Sequence, residues 1–234
     1  MNENKGPDDV QILLLVKFPQ EGEVKSRLSE EVGEELAAEL YRAFVQDTLA
    51  TLDASGLRHA ISFHPPEAGD QVKGWLGDRY EYYPQRGDGP ASRVKNTFLD
   101  AFARGEEKVI VMASDAPDIP EDMLKEAVMG LGEKDSVLGP AVDGGYNLIG
   151  FNRASFREAA FDDISWGTAM AFADTAERMK GLSIYVTAPW PDIDTANDLR
   201  ATFREKRNSS FMASSKTVEI LAGTEYAKRE VVRR

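Results

Sequence analysis

A chain of 234 residues, 42% of them hydrophobic and 29% charged, has the composition of a globular protein with one good core. It has no cysteine and two histidines, which excludes disulfides, thiolate chemistry and the usual His/Cys zinc site, so any bound metal must be held by carboxylates, as Mg²⁺ or Mn²⁺ are. The formal charge of −12 argues against nucleic acid as a partner, because nucleic-acid binding needs a basic face.

The first nine residues are polar and acidic, and no apolar run reaches the length of a membrane-spanning helix. A secretory signal needs an apolar stretch near its start, and a spanning helix needs about 20 mostly apolar residues in a row. We therefore expect a cytoplasmic protein without a membrane span.

The first apolar run, residues 10–16, does not alternate and so predicts a strand that is covered on both faces. A loop with Gly22 follows it, and three cations, Lys17, Lys25 and Arg27, surround that loop. A strand, a glycine-containing loop and a helical segment suit the binding of phosphate oxygens. The alternative is an ordinary strand-to-helix connection whose cations face water.

The rest of the pattern alternates between helices and strands over residues 10–206, which predicts one α/β domain with a mainly parallel sheet flanked by helices. The glycine-rich stretch 136–151 breaks the alternation, so we expect a mixed sheet. Predicted strands are 58–63, 80–83, 108–113 and 183–187, and predicted helices are 34–54, 68–76, 96–102, 121–131, 169–180 (with Thr168 as N-cap) and 196–205.

Two polar stretches follow predicted strands. The loop 85–93 is either a plain turn or a ligand-facing loop that offers Asp88 and Arg93. Asp115 comes two residues after the apolar strand 108–113, where ligands of open α/β sheets collect, so we expect it to bind a metal or a ribose hydroxyl. For Asp118 we expect a role at the start of the following helix instead.

Glycines and aspartates mark two further segments. Gly144 and Gly145 either permit close approach of the backbone to a ligand or form the Asp-Gly turn of a β-hairpin, and both can hold together. Asp194 or Thr195 can cap the last predicted helix, whereas capping explains Asp192 less well.

The C-terminal segment differs from the body in charge. From residue 200 onward nine Lys or Arg oppose four Glu, and residues 208–215 are rich in serine. We therefore expect a domain over residues 1–207 and an appendage over 208–234. That appendage packs on the acidic body or on a second subunit of a homodimer, or its last turns form a disordered tail.

Five motifs in chain order, VKFPQEGEVKSRL, SDAPDIP, GPAVDGGYNLIGF, ISWGT and PDIDTANDL, together resemble a bacterial family of glycosyltransferase-like proteins. That family is similar to 2-phospho-lactate guanylyltransferase and the molybdenum-cofactor guanylyltransferases. The resemblance covers residues 10–203 and implies the Rossmann-like GT-A fold of the nucleotide-diphospho-sugar transferases.

The resemblance also implies roles for individual residues. The first motif would wrap the nucleotide phosphates, with Lys25 sharing the charge of the reacting group. Asp115 would bind Mg²⁺ or Mn²⁺ with Asp192 or Asp194 as a second ligand, and the double-glycine motif would line the acceptor or sugar side. The expected catalytic residues are Lys25 and Asp115, and the expected substrate-binding residues are Lys17, Pro19, Gly22, Arg27, Arg93, Gly144, Gly145, Tyr146 and Trp166.

These expectations lead to a metal-dependent transferase whose partner is a nucleotide or nucleotide sugar. Glycosyl transfer from a nucleotide-diphospho-sugar is the first hypothesis, with Asp143 or Tyr146 as a general base. Nucleotidyl transfer, as in the guanylyltransferases, is the alternative, and a non-catalytic nucleotide-binding protein is a third. A dinucleotide oxidoreductase is excluded, because no G-x-G-x-x-G follows Val16.

Overall fold

The computed structural model describes residues 9–205 and 208–224. Its strands are β1 (Val10–Lys17), β2 (His59–His64), β3 (Tyr82–Pro84), β4 (Lys108–Met112), β5 (Ser136–Pro140), β6 (Tyr146–Asn152) and β7 (Ile184–Val186). Its helices are α1 (Ser26–Val32), α2 (Glu34–Ser55), α3 (Gly69–Leu76), α4 (Pro90–Ala103), α5 (Glu121–Glu133), α6 (Ala171–Arg178), α7 (Ala196–Glu205), α8 (Ser209–Ser214) and α9 (Lys216–Ala222). Short 3₁₀ turns lie at Pro66–Ala68, Arg153–Ser155 and Glu158–Phe161.

The described strands form one sheet in the order β3-β2-β1-β4-β6-β5-β7. β1 pairs in parallel with β2 and β4, β2 with β3, and β5 with β7, whereas β6 runs antiparallel to both β4 and β5. The prediction of a mixed, mainly parallel sheet is therefore confirmed. The strands other than β6 all end at the same edge of the sheet, which is where ligands bind in open α/β folds.

Helices cover the central strands on both faces, as the unbroken apolar run of β1 predicts. Ile12, Leu14 and Val16 lie in a core cluster with residues of α2, α3 and α5, whereas Leu13 belongs to a second cluster on the opposite face, with residues of α4. A strand that is buried on both faces has no solvent side and therefore no need for alternating polar residues.

Two helices begin two or more residues away from the start that the pattern predicts. α4 begins at Pro90, inside the predicted loop 85–93, because proline suits the first helical position, where no N–H bond is lost. α6 begins at Ala171 with Met170 as N-cap, so the prediction of Thr168 as N-cap is wrong. Thr168 Oγ1 instead accepts a hydrogen bond from the Met170 N–H in the turn before the helix.

The C-terminal helix α9 packs against α2, and α8 packs against α9. Asp47 of α2 accepts hydrogen bonds from the Lys216 N–H at 2.7 Å and from the Thr217 N–H and Oγ1 at 3.0 and 2.6 Å. Leu221 is buried in a third cluster with Phe44 of α2 and residues of α7. The division of the chain at residue 207 stays a prediction, and the predicted disordered tail lies outside the described residues, as does most of the N-terminal stretch.

Over residues 9–205 and 208–224, none of the helices combines the length and the apolar character that crossing a lipid bilayer requires.

Replacing Asp47 by Asn should destabilise the protein by about 1–3 kcal/mol. The Asn amide would place a donor where the carboxylate now accepts from the first turn of α9, which leaves a buried N–H without an acceptor. Urea denaturation measures the loss, and Glu39→Gln, at an exposed position of the same helix, is the control. Equal stability of the two variants would contradict the role of Asp47.

Candidate active site

A cleft opens at the carboxyl edge of the sheet. One compartment, of about 200 Å³, lies beyond the ends of β1, β2, β3 and β4, and the other, of about 290 Å³, lies beside the loop between β1 and α1. Lys17, Tyr41 and Asp115 line both compartments, so the two are continuous. Together they fall in the size range of small-molecule sites, about 300–1,000 Å³.

Lys25 joins the loop after β1 to two distant acidic residues. Its side chain is only 4% exposed, and its Nζ lies 2.5 Å from Asp115 Oδ1 and 2.8 Å from Asp194 Oδ1. The same Nζ donates a hydrogen bond to the backbone oxygen of Ile193 at 2.8 Å. Burial lowers the pKa of Lys25, but the charges of Asp115 and Asp194 outweigh it and hold the pKa above its ordinary value. The ammonium is therefore charged and fully paired.

The backbone of Lys25 adopts a left-handed conformation, with φ of 50° and ψ of 45°, immediately before α1. A residue with a Cβ carries a cost of about 1–2 kcal/mol in this conformation. The surrounding contacts hold it there, since the three oxygen partners on Asp115, Ile193 and Asp194 all bind its side chain.

Local capping explains why Asp194 is free to bind cations. Thr195 Oγ1 accepts from the Asp198 N–H, and Asp198 Oδ2 accepts in return from the N–H groups of Asp194 and Thr195. This reciprocal pattern is a capping box, so Thr195 caps α7 and the Asp194 carboxylate does not. Asp194 Oδ2 instead accepts from the Arg27 guanidinium at 2.6 Å. Burial raises the pKa of Asp194, but the positive charges of Lys25 and Arg27 have the larger combined effect and hold the pKa below its ordinary value.

The segment before α7 is pinned to the site by backbone contacts. The Ile193 N–H donates to the backbone oxygen of Asp115 at 2.8 Å, and the Trp190 N–H donates to the backbone oxygen of Pro140 at 2.9 Å. Trp190 Nε1 donates to Asp118 Oδ1 at 3.0 Å. The prediction that Asp118 starts α5 is wrong, because Pro120 is the N-cap and Asp118 is buried beneath Trp190.

Asp192 lies deeper than the other two carboxylates. Burial raises its pKa to about 8, and the charge of Asp115 adds to this effect. Its Oδ1 is buried and has no hydrogen-bond partner among the residues that the structure describes. An unpaired buried carboxylate oxygen is costly, so this atom is suited to a cation that binds in the cleft.

The residues in and beside the loop between β1 and α1 differ in whether they line the cleft. Lys17 Nζ bonds Glu23 through its backbone oxygen at 2.6 Å, and Arg27 is 62% exposed at the rim. Pro19 is buried away from the cleft, and its oxygen accepts from Arg42 at 3.0 Å. Gly22 has a φ of +75° and shapes the turn. The structure thus brings Lys17, Lys25 and Arg27 to the cleft and gives Pro19 and Gly22 supporting positions.

Arg93 lines the 200 Å³ compartment from the first turn of α4, together with His64 and Gln85. Gln85 is 6% exposed, and its Nε2 donates to the Ser62 oxygen, which leaves its Oε1 as the remaining acceptor. Burial and then the positive charges of Arg93 and Lys17 lower the pKa of His64, so its ring is neutral near pH 7. In the described chain no acidic side chain pairs with Arg93.

The double-glycine segment forms the turn of a hairpin between β5 and β6, so that alternative is confirmed. Gly144 has a φ of +92°, and a Cβ there would lie 2.3 Å from the Ala169 oxygen, so its close approach is to the chain itself. Gly145 donates to Asp143 Oδ1 at 2.9 Å. The Tyr146 hydroxyl is buried beside Thr175, with the ring packed edge-on against Trp166. The Tyr146 and Trp166 side chains thus support the hairpin from its core side.

The resemblance implies metal ligands among Asp115, Asp192 and Asp194. In the parts of the chain that the structure describes, no three acidic or His side chains are grouped to hold a metal ion, because Lys25 separates Asp115 from Asp194. Two protein carboxylates nevertheless suffice for Mg²⁺, which keeps waters and substrate phosphates as its other ligands. The unpartnered oxygen of Asp192 fits such a site better than Asp194, whose oxygens bind Lys25 and Arg27.

Sequence reasoning missed Tyr41, His64 and Gln85. The Tyr41 hydroxyl accepts from the Lys17 N–H at 2.9 Å and lies 3.2 Å from Ser114 Oγ, so it joins the ends of β1 and β4. Its position in the apolar stripe of α2 hides this role. His64 ends β2 and Gln85 follows β3, so the rule that selects Asp115, a polar residue after a parallel strand, would also have selected both.

The family named "Uncharacterized protein conserved in bacteria (DUF2064)" matches residues 47–168. The chain belongs to this family. It is also 38% identical, with a TM-score of 0.88, to a protein of Desulfovibrio desulfuricans G20 that is named a "putative nucleotide-diphospho-sugar transferase"; the match covers 96% of this chain and 98% of that one. The nucleotide-diphospho-sugar transferase fold that the motifs implied is thus confirmed.

More distant structures share the fold alone. The 4-diphosphocytidyl-2C-methyl-D-erythritol synthase of Anaerococcus prevotii DSM 20548 is 12% identical with a TM-score of 0.55, over 86% of this chain and 100% of that one. Rv0371c of Mycobacterium tuberculosis H37Rv, solved in complex with manganese, is 14% identical with a TM-score of 0.50; the match covers 82% of this chain and 96% of that one. A comparison with curated proteins finds no significant match.

Gly144→Ala should destabilise the protein by about 2–4 kcal/mol, because its Cβ would meet the Ala169 backbone and its φ is unfavourable for alanine. Gly145→Ala is the matched control. Its nearest neighbour is the flexible Asp143 Oδ1 at 3.2 Å and its φ is not positive, so the loss should stay below about 1 kcal/mol. Thermal denaturation measures both variants, and equal losses would contradict the packing role of Gly144.

Proposed function

We propose that this protein is a transferase that binds a nucleotide-activated substrate in the cleft, with glycosyl transfer from a nucleotide-diphospho-sugar as its reaction. The observation that carries the proposal is the cluster of Lys25, Asp115, Asp192 and Asp194 beside an apolar compartment at the carboxyl edge of a parallel sheet. The name of the relative from Desulfovibrio desulfuricans, with 38% identity, points to the same class of substrate.

Asp115 and Asp192 are the residues that would hold Mg²⁺ or Mn²⁺. When bound, the ion would act as a Lewis acid on the diphosphate oxygens and stabilise the charge of the leaving group. The manganese complex of Rv0371c supports testing Mn²⁺ first, although that protein shares the fold alone. Lys25 and Arg27 lie on the same side of the cleft and would donate hydrogen bonds to the phosphates.

The nucleoside would occupy the 200 Å³ compartment. Its walls include the apolar residues Leu15, Val16 and Val94, which suit the faces of a base. Gln85 offers an acceptor and Arg93 a donor for the polar edge of that base. The diphosphate would then extend past Lys17 and Tyr41 into the 290 Å³ compartment.

The sugar and the acceptor would lie toward the β5–β6 hairpin. Asp143, at the hairpin turn, is near enough to raise the pKa of Asp192 by its charge. In glycosyl transfer the acceptor oxygen bonds to the anomeric carbon, the sugar–phosphate bond breaks, and the nucleoside diphosphate leaves with the bonding electrons. Asp143 would accept the acceptor proton, and it is better placed than Tyr146, whose hydroxyl is buried behind the hairpin.

A thermal-shift panel tests the proposal. Nucleoside diphosphates, triphosphates and sugar nucleotides are each measured with Mn²⁺, with Mg²⁺ and with chelator, since a ligand that binds only the folded protein stabilises it. A metal-dependent shift with a sugar nucleotide, followed by turnover, supports glycosyl transfer. A shift with triphosphates alone would replace it by nucleotidyl transfer, and tight binding without any product would favour a non-catalytic binder.

Asp115→Asn and Asp192→Asn should each abolish the metal-dependent part of the nucleotide shift, because each removes one of the two protein carboxylates that would hold the ion. Asp122→Asn, an exposed residue of α5 outside the cleft, is the control and should behave as the unchanged protein. Metal titrations followed by tryptophan fluorescence give an independent measurement. An Asp192→Asn protein with unaltered metal dependence would exclude Asp192 as a ligand.

Arg93→Met should weaken nucleotide binding by about tenfold, which corresponds to the loss of one hydrogen bond from a charged group. Arg86→Met is the matched control, because Arg86 pairs with Asp100 and does not line the cleft. Isothermal titration calorimetry with the nucleotide that gives the largest thermal shift measures both. If Arg86→Met weakened binding as much as Arg93→Met, the assignment of the compartment would be wrong.

A further inference from the structure

The ammonium of Lys25 occupies the space between the two carboxylates that face the 290 Å³ compartment. It lies 2.5 Å from an oxygen of Asp115 and 2.8 Å from an oxygen of Asp194. A divalent cation bound to Asp115 would stand close to this ammonium and repel it. A metal at Asp115 would therefore compete with the Lys25–Asp115 pair.

The neighbouring cations are also paired within the protein. Lys17 Nζ lies 3.3 Å from Glu23 Oε2, and Arg27 lies 2.6 Å from Asp194 Oδ2. Each of the three cations that we expect at the phosphates thus has a carboxylate partner when no ligand is bound. Phosphate oxygens would compete with these carboxylates for the same donors, because both are bidentate anionic acceptors.

We propose that Lys25 is an internal counter-cation that keeps divalent metal off Asp115 until the phosphates of a nucleotide draw the ammonium away. Metal and nucleotide then bind as a mutually dependent pair, and metal alone binds weakly. This inference rests on the proposed function, and it adds an order of binding to it.

The balance of charge supports the exchange. Lys25 and Arg27 carry two positive charges, which the carboxylates of Asp115 and Asp194 balance. A divalent cation alone would add two positive charges to a partly buried site, and the diphosphate of a nucleotide sugar alone would add two negative charges. Both together leave the balance unchanged, so each lowers the cost of binding the other.

The geometry allows the ammonium to move without rebuilding the fold. Lys25 lies at the start of α1 and lines the 290 Å³ compartment, so rotation of its flexible side chain can redirect Nζ from Asp115 toward bound phosphates. The Phe44 ring, 5.6 Å from Nζ, stays in the core cluster of α2 and α7. Rotation of one side chain is therefore enough to free Asp115.

The test measures Mn²⁺ binding by the loss of the electron paramagnetic resonance signal of the free ion. The full chain is titrated with Mn²⁺ alone and with Mn²⁺ plus a mixture of GDP, UDP, CDP and ADP, and the Mn²⁺ that the same nucleotides bind without protein is subtracted. We expect nucleotide to tighten Mn²⁺ binding by about tenfold or more, and Mn²⁺ to tighten nucleotide binding by the same factor, since coupling is reciprocal. Equal Mn²⁺ affinity with and without a nucleotide that binds would overturn the proposal.

Lys25→Met gives the second measurement. Without the competing ammonium, Mn²⁺ alone should bind about tenfold more tightly than to the unchanged chain, and the added effect of nucleotide should shrink. Lys73→Met is the matched control, because it is the same substitution at an exposed lysine that pairs with Asp78 and lines neither compartment, so its Mn²⁺ affinity should change by less than about threefold.

The two variants also separate this inference from the proposed function. Circular dichroism verifies that Lys25→Met is folded, and a folded variant with unchanged Mn²⁺ affinity contradicts the role of Lys25. If no nucleotide binds any form of the protein, the proposed function fails, whereas tighter binding of Mn²⁺ alone by Lys25→Met would still support competition between the ammonium and the metal.

Discussion

The buried ammonium of Lys25 is the constraint on which the cleft depends. A buried charge without partners costs several kcal/mol, so a lysine side chain that is 4% exposed requires acidic oxygens within hydrogen-bond distance. Asp115 and Asp194 supply them, from segments 90 and 169 residues away in sequence. One ion-pair cluster thus ties the first loop to the end of β4 and to the segment before α7.

The sheet topology supplies the frame for this cluster. β1, β2, β3 and β4 are parallel, so Lys17, His64, Gln85 and Asp115 all lie at or just after strand ends at one edge. The single antiparallel strand of the described sheet, β6, returns the chain after β5 and places the hairpin turn at that same edge. The cleft is therefore a consequence of strand direction, and the loops differ mainly in which charges they add.

An acidic protein can still present a site for phosphates when its cations are concentrated. The chain carries a formal charge of −12, yet Lys17, Lys25, Arg27 and Arg93 all lie around one cleft. Three of them, Lys17, Lys25 and Arg27, are paired with nearby carboxylates, so their charges are balanced without a ligand. Arg93 is different, because the described residues offer it no acidic partner, and it stands beside a neutral histidine in the apolar compartment.

The sequence alone determined the fold class and pointed to several of the charged residues that line the cleft, because unbroken apolar strands, helix spacing and polar residues after strands are local patterns. Only the tertiary structure decided what each residue does. It made Lys25 a buried partner of two aspartates, left an oxygen of Asp192 unpaired, and turned the Tyr146 hydroxyl inward. These roles depend on contacts between segments far apart in the chain, and neither spacing nor composition encodes such contacts.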